Sequence, residues 1–333
     1  MGFETKLEKN WLTKAKEIGA TIVLPEAYFS ERVVLAGIES AKQKIAKIIF
    51  LVDNDNALVN YDMEGVEDSK IVNIHTSDIR PMLVEALVTL RKDKGMTTEL
   101  AEDTLNDSVY FGTMMVELGL ADGLVAGAEI ATAKTFKPAF QIIKSKDKST
   151  KVSSFFVMIR DGEGDNDEVY VLSDCGVNIA PDANDVASFA IQSAETCEKL
   201  CGMEPKVALL CYSTKGSAEG DCALKMREAT EILRNKNVCF DFDGEMQLDA
   251  AIVPEVAKLK CKDSKVGGKA NVLIFTNLES GNIGYKLMQR FGGFKAIGPI
   301  AQGMRKPIND ISRGANVEEI VEAIAITGIQ SRF

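Results

Sequence analysis

Apolar residues along this chain fall into short continuous runs, separated by longer stretches with helical spacing. Thr21-Ile22-Val23-Leu24-Pro25, Lys47-Ile48-Ile49-Phe50-Leu51-Val52 and Ile71-Val72-Asn73-Ile74 are runs of the kind that fill strands buried on both faces. Between and after them, residues 32–45, 81–92 and 98–118 read as helices, the last as one or two. Gly123-Leu124-Val125-Ala126-Gly127 reads as a short buried strand closed by glycines. This β-α-β-α rhythm predicts an α/β fold of the doubly wound type, a parallel sheet with helices on both faces. The polar run Lys-Ser-Lys-Asp-Lys-Ser-Thr-Lys at 144–151 marks a domain boundary. Beyond it the pattern changes. Residues 154–159 and 168–172 flank the turn-rich segment 161–167 and predict a hairpin. Helix, strand and helix follow at 185–200, 206–212 and 218–236, then a core strand at 271–275 and a helix reaching 291. A last helix, 317–330, carries Ile320, Val321, Ile324 and Ala325 on one stripe.

Composition narrows the function classes. With 333 residues, the chain is about two ordinary domains long. Its 46% hydrophobic and 26% charged content is that of a globular protein, and no apolar run approaches the roughly 20 residues that span a bilayer. Met1-Gly2-Phe3-Glu4-Thr5-Lys6 is too polar for a signal peptide, and Lys6 stands where a myristoylation signal has Ser or Thr. A cytoplasmic protein with no membrane partner is expected. The net charge of −10 argues against nucleic acid as a partner, while a local Arg/Lys pocket still suits an anionic substrate.

All seven cysteines lie between Cys175 and Cys261 without a Cys-x-x-Cys pair, which points to free thiols and to no metal site. Cys175, in Asp174-Cys175-Gly176-Val177-Asn178, reads as a buried thiol. The single histidine, His75, would have to carry any Ser/His/Asp or Cys/His chemistry, and it reads more simply as a surface residue. Ile at position 79 excludes a His-x-x-x-Asp acyltransferase.

Three segments suit anions. Ser213-Thr214-Lys215-Gly216-Ser217 follows the strand at 206–212, at the usual ligand edge of an open α/β sheet, and is not a Walker A loop. Ser280-Gly281-Asn282-Ile283-Gly284-Tyr285-Lys286 reads as a strand–helix turn, whose glycines serve either an anion or close packing. Near the C-terminus, Ser312-Arg313-Gly314 brings a hydroxyl and a guanidinium together just before Asn316-Val317-Glu318-Glu319. That last stretch fits a capping box with Asn316 as N-cap. Glu319 is therefore a helix cap or a base, and both readings stand.

Taken in order, these segments resemble the phosphate acetyltransferase (phosphotransacetylase) family over essentially the whole chain. The matching motifs include Ile22-Val23-Leu24-Pro25-Glu26, Tyr110-Phe111-Gly112-Thr113-Met114-Met115-Val116 and Ala121-Asp122-Gly123-Leu124-Val125-Ala126-Gly127-Ala128. Ser173-Asp174-Cys175-Gly176-Val177-Asn178, the 212–217 segment, Asp243-Gly244-Glu245-Met246-Gln247-Leu248-Asp249-Ala250-Ala251, the 281–286 segment and Ser312-Arg313-Gly314 continue the match. The resemblance implies two α/β domains with a cleft between them, like the isocitrate/isopropylmalate dehydrogenase architecture. The C-terminal segment would complete the first domain, giving 1–145 with 297–333 and, as the second domain, 146–296.

It also implies a homodimer that transfers acetyl groups reversibly between acetyl phosphate and coenzyme A, with CoA and phosphate as substrates and no permanently bound cofactor. On this resemblance Ser312 and Arg313 are catalytic, and Glu319 stands where the family has an aspartate base. Arg91 and Lys137 match two CoA-linked arginines, the second replaced here by lysine. Ser213, Thr214, Lys215, Gly281, Asn282 and Gly284 would line the CoA and phosphate site. Ala131-Thr132-Ala133-Lys134 replaces the family's Ser-Thr-Ala-Asp. A phosphate butyryltransferase-like enzyme and a non-catalytic regulatory homologue are the alternatives. A nicotinamide-dependent dehydrogenase lacks its Gly-x-Gly-x-x-Gly here.

Overall fold

A computed structural model describes residues 5–147, 150–162 and 167–333. The chain divides into two compact units. The first comprises Glu8–Lys144 and Met304–Phe333; the second comprises Ser145–Gly303 with Thr5–Leu7. In chain order the first part supplies α1 (Lys6–Ile18), β1 (Thr21–Leu24), α2 (Glu31–Lys42), β2 (Lys47–Val52) and β3 (Lys70–Asn73). Then come α3 (Arg80–Leu90), α4 (Thr98–Thr104), α5 (Ser108–Glu117), β4 (Gly123–Ala126) and α6 (Thr132–Ile142). The stretch expected at 98–118 is two helices because Asp107 caps the second, its carboxylate accepting the amides of Val109 and Tyr110.

The second unit contains β5 (Ser153–Arg160), β6 (Glu168–Ser173), α7 (Ala183–Lys199), β7 (Lys206–Leu210), α8 (Asp221–Asn235) and β8 (Asp241–Met246). It continues with α9 (Leu248–Ile252), α10 (Pro254–Lys260), β9 (Val272–Ile274), α11 (Leu278–Gly292) and β10 (Lys295–Gln302). The chain then returns to the first unit for β11 (Ile308–Asp310) and α12 (Val317–Gln330).

The first sheet has the order β11-β4-β1-β2-β3, and every pairing is parallel. Helices cover both of its faces at very close range. A Cβ on Gly37 of α2 would fall 2.5 Å from the Phe50 ring and 2.8 Å from Leu24. A Cβ on Gly112 of α5 would fall 2.8 Å from Leu124 and 2.9 Å from Val23. Leu24 pairs with Phe50 and Val23 with Leu124, so strand alternation puts these two sets on opposite faces. α12 packs on α2 and extends that layer across β4.

The second sheet has the order β10-β5-β6-β9-β7-β8. Its β6, β9, β7 and β8 run parallel, while β5 pairs antiparallel with β6 and with β10. The predicted hairpin is β5 and β6, with 163–166 of its loop outside the described residues. β10 pairs with β5 through residues 295–302, with a register shift between Ile297 and Ile300, so the chain re-enters the first unit at Met304 rather than at 297. Among the described residues no helix is long and apolar enough to cross a membrane.

Candidate active site

In the first sheet β4 and β11 end side by side, with Asp310 opposite Ala126. Parallel strands that finish together deliver their following loops to one edge, the edge where open α/β sheets bind ligands. The loop after β4 is built around Glu26, which follows β1 and is fully buried. Its carboxylate accepts the amides of Gly127, Ala128, Glu129 and Ile130 at 2.8, 2.9, 2.8 and 2.8 Å. Four aligned N–H groups satisfy the buried charge and fix the path into α6.

Arg32, on α2, ties that loop to the one after β11. Its Nη2 donates to the Ala128 carbonyl at 2.9 Å and to Glu129 Oε1 at 2.8 Å. Its Nη1 donates to the carbonyls of Arg313 and Ala315 at 3.1 and 2.5 Å. The same guanidinium holds the Glu129 carboxyl below its ordinary range. A third link joins the start of α6 to the end of β11, where Thr132 Oγ1 donates to Asp310 Oδ2 at 2.7 Å.

On this frame Ser312 and Arg313 are both exposed. The Ser312 hydroxyl accepts the Gly314 amide at 3.2 Å, and the Ala315 amide donates to the Ser312 carbonyl at 2.9 Å, which closes the turn. Among the described residues the Arg313 guanidinium makes no hydrogen bond or ion pair, so its donors face solvent. Glu319 is exposed, and the capping box is complete. Its Oε2 accepts the Asn316 amide at 2.9 Å while its own amide donates to Asn316 Oδ1 at 3.0 Å. Arg91 follows α3 and donates from Nη1 to the Gln141 carbonyl at 3.1 Å, leaving a buried Nε without a hydrogen-bond partner among the described residues. Lys137 lies exposed on α6, one turn before Gln141.

The second unit holds the other expected site residues. The 213–217 loop already contains an anion, the carboxylate of Glu245, which is 2% exposed. Glu245 Oε1 accepts the Ser213 hydroxyl at 2.8 Å and the Gly216 amide at 2.9 Å, and Oε2 pairs with Arg227 Nε at 3.1 Å. Burial pushes Glu245 up, but these partners outweigh it and hold the carboxyl below its ordinary range. Thr214 Oγ1 accepts the Gln247 amide at 2.9 Å, and Lys215 pairs with Asp243.

Residues 281–286, expected in a turn, lie inside α11, because Asn277 caps that helix earlier by accepting the Ser280 amide at 2.9 Å. Gly281 packs on the Asp174 loop so closely that a Cβ would stand 2.5 Å from the Asp174 carbonyl oxygen. At Gly284 a Cβ would meet the Phe275 ring at 3.0 Å. Asn282 Nδ2 donates to the Cys175 carbonyl at 3.3 Å. Burial pushes the Cys175 thiol well above its ordinary range, as a core thiol requires, and His75 is exposed in the turn after β3.

Sequence reasoning gave no role of their own to Arg32, Thr132 and Asp310. The available signal was topological: each lies one to eight residues beyond a strand or at the end of one. Only the sheet order shows that those strands adjoin.

A family model described as phosphate acetyl/butaryl transferase matches residues 7–328. The phosphate acetyltransferase of Thermoanaerobacterium thermosaccharolyticum is 46% identical over 324 residues, 96% of this chain and 98% of that one. The phosphate acetyltransferase of Bacillus subtilis is 45% identical over 316 residues, 93% of this chain and 94% of that one. A solved phosphotransacetylase from Streptococcus pyogenes has a TM-score of 0.92 at 42% identity, covering 98% of each chain. A match running from residue 7 to residue 328 takes in the core of both units, and the chain belongs to the phosphate acetyl/butaryl transferase family of acyltransferases.

Proposed function

We propose that the chain catalyses reversible transfer of an acetyl group between acetyl phosphate and coenzyme A, by direct attack of the CoA thiolate in a ternary complex. One observation carries the choice of residues. Arg313 presents an unpaired guanidinium on a braced turn at the ligand edge of a parallel sheet, a geometry suited to a bidentate phosphoryl group. In this reading Glu319 takes the proton of the CoA thiol. The sulfur forms a bond to the acetyl carbon, whose carbonyl electrons move to oxygen. The tetrahedral oxyanion then collapses to re-form the carbonyl, the bond between the acetyl carbon and the bridging oxygen breaks, and phosphate leaves with that oxygen and the electron pair. The Ser312 hydroxyl donates to the sulfur or the oxyanion, and Arg313 neutralises charge on the departing phosphate. Arg91 and Lys137 contribute positive charge for the CoA phosphates. A phosphate group brought to Ser213, Thr214 and Lys215 would replace Glu245 or Asp243 as that loop's anion. Gly281, Asn282 and Gly284 are taken as substrate-binding residues on the family resemblance alone.

CoA is a substrate in this scheme and no cofactor stays bound. We also take the enzyme to act as a cytoplasmic homodimer. Butyryl transfer is the second reading, because the matching family description spans both acyl groups.

Thioester formation from acetyl phosphate and from butyryl phosphate, measured side by side, separates the two. The acetyl donor is expected to give the higher kcat/KM, and the reverse order would move the assignment to the longer acyl chain. In the same assay Arg313→Gln is expected to lower kcat by about 10²–10³-fold. Light scattering on the assayed sample is expected to report twice the chain mass.

A further inference from the structure

Asp310 closes β11 beside Ala126, two residues before Ser312, and is 2% exposed. One of its oxygens accepts the hydroxyl of Thr132, the first residue of α6, at 2.7 Å. The other, Oδ1, is buried with no hydrogen-bond partner among the described residues. Thr135 Oγ1, one turn further along α6, is buried beside the same carboxyl and helps to stabilise its charge without closing a full hydrogen bond. Local backbone conformation makes room for this side chain: a Cβ at Gly127 would stand 2.6 Å from Oδ1, and Gly127 has a φ of +108°. The charged groups facing Asp310 are Glu26 from the loop after β1 and Arg313 from its own turn, with Arg32 of α2 on the carbonyls of Ala128 and Arg313. Burial, with the Glu26 charge, pushes the Asp310 carboxyl up to about 6, while the Thr132 and Thr135 hydroxyls and the Arg313 charge pull it down.

A half-satisfied buried carboxylate destabilises a fold, and such groups concentrate where they serve a site. We propose that Asp310 is a positioning residue of this enzyme: its carboxylate anchors Thr132 and draws the Arg313 guanidinium toward the sheet edge, holding it for the charge that develops as phosphate leaves. The inference rests on the acyl-phosphate reading above. Asp310 touches no substrate and acts through Arg313. Its negative charge repels a phosphate at Arg313 in the bound substrate and in the transition state alike, so its contribution to the transition state is the orientation of the guanidinium.

Asp310→Asn keeps an acceptor for Thr132 and removes the charge, which makes it the informative variant. Expected are a kcat lower by roughly 10–100-fold, as for other residues that orient a reacting group, and a KM for acetyl phosphate that is lower. Wild-type kcat is expected to fall as pH drops through about 6, and the variant to lack that limb. A raised carboxyl pKa contributes stability that is fully present below 3.8 and lost as pH rises through about 6. The melting temperature of Asp310→Asn relative to wild type should therefore increase with pH, a change that a merely structural role would reverse.

Thr132→Val is expected to reproduce part of the kcat loss without adding fully to Asp310→Asn in the double variant, and Thr132→Ser to retain activity. Wild-type kcat in Asp310→Asn overturns the proposal. So does a loss of kcat accompanied by a lower melting temperature and a higher KM for both substrates. If the wild-type protein turns over no acyl phosphate, the functional reading fails separately, and titration with inorganic phosphate decides this one. Tighter phosphate binding by Asp310→Asn upholds the inference, and unchanged affinity overturns it.

Discussion

Glu319 Oε2 accepts the Asn316 amide, so the carboxylate proposed to take the thiol proton also closes the first turn of α12. The two roles separate experimentally, because glutamine also serves at the N3 position of a capping box. Glu319→Gln removes the proton acceptor and a charge at a helix N-terminus, and its stability is expected to change by less than about 1 kcal/mol. If Glu319 is the base, kcat falls by about 10²–10⁴-fold. Stopped-assay kcat together with thermal melting checks both halves. Unchanged turnover would leave Glu319 a cap and nothing more. The cap was legible in residues 316–319, because a capping box is a local pattern, whereas the base role comes from the family resemblance. Asp310 was not legible. Its neighbours Glu26, Gly127 and Thr132 are distant in sequence and meet it only through the pairing of β11 with β4.

Element ends follow the same logic of close approach. In an open helix a Gly→Ala change stabilises by about 1 kcal/mol. At Gly281 the added methyl would stand 2.5 Å from a backbone carbonyl oxygen, which cannot swing aside as a side-chain tip can. Gly281→Ala is therefore expected to lose about 1–3 kcal/mol in urea unfolding. Gly284→Ala, which meets only the Phe275 ring at 3.0 Å, should lose less. A more stable Gly281→Ala protein would refute the packing account of that glycine. At this scale the long apolar runs were readable: β1, β2 and β4 and the helices α2, α3, α7 and α12 lie close to where periodicity puts them. Short or polar strands were not. β8 reads Asp-Phe-Asp-Gly-Glu-Met, β10 contains Gly298-Pro299, and β11 is three residues long. Each is recruited by the strand beside it and by burial from helices, not by its own β-propensity.

Across the whole molecule the thiols offer a direct check on which chemistry is absent from the mechanism. Cys239 is exposed, whereas Cys175 and Cys197 are buried, and burial pushes Cys197 up to about 12. Alkylation of the native protein with iodoacetamide, followed by peptide mass mapping, is expected to modify Cys239 and to leave Cys175 and Cys197 unmodified until the protein is unfolded. Rapid native labelling of Cys175 would contradict its place in the core. Turnover should survive Cys239 labelling, since the proposed mechanism forms no acyl-cysteine. The class of fold and the candidate pair Ser312–Arg313 were set by the sequence alone, because hydrophobic period and short motifs are local properties of a chain. Tertiary structure decided what surrounds them. It filled the 213–217 loop with Glu245, made Arg32 the brace between two loops, and buried Asp310 beside the turn that carries Arg313. Those outcomes depend on which strands lie next to one another. Sheet order is fixed by packing across the whole core, and no local stretch of sequence carries it.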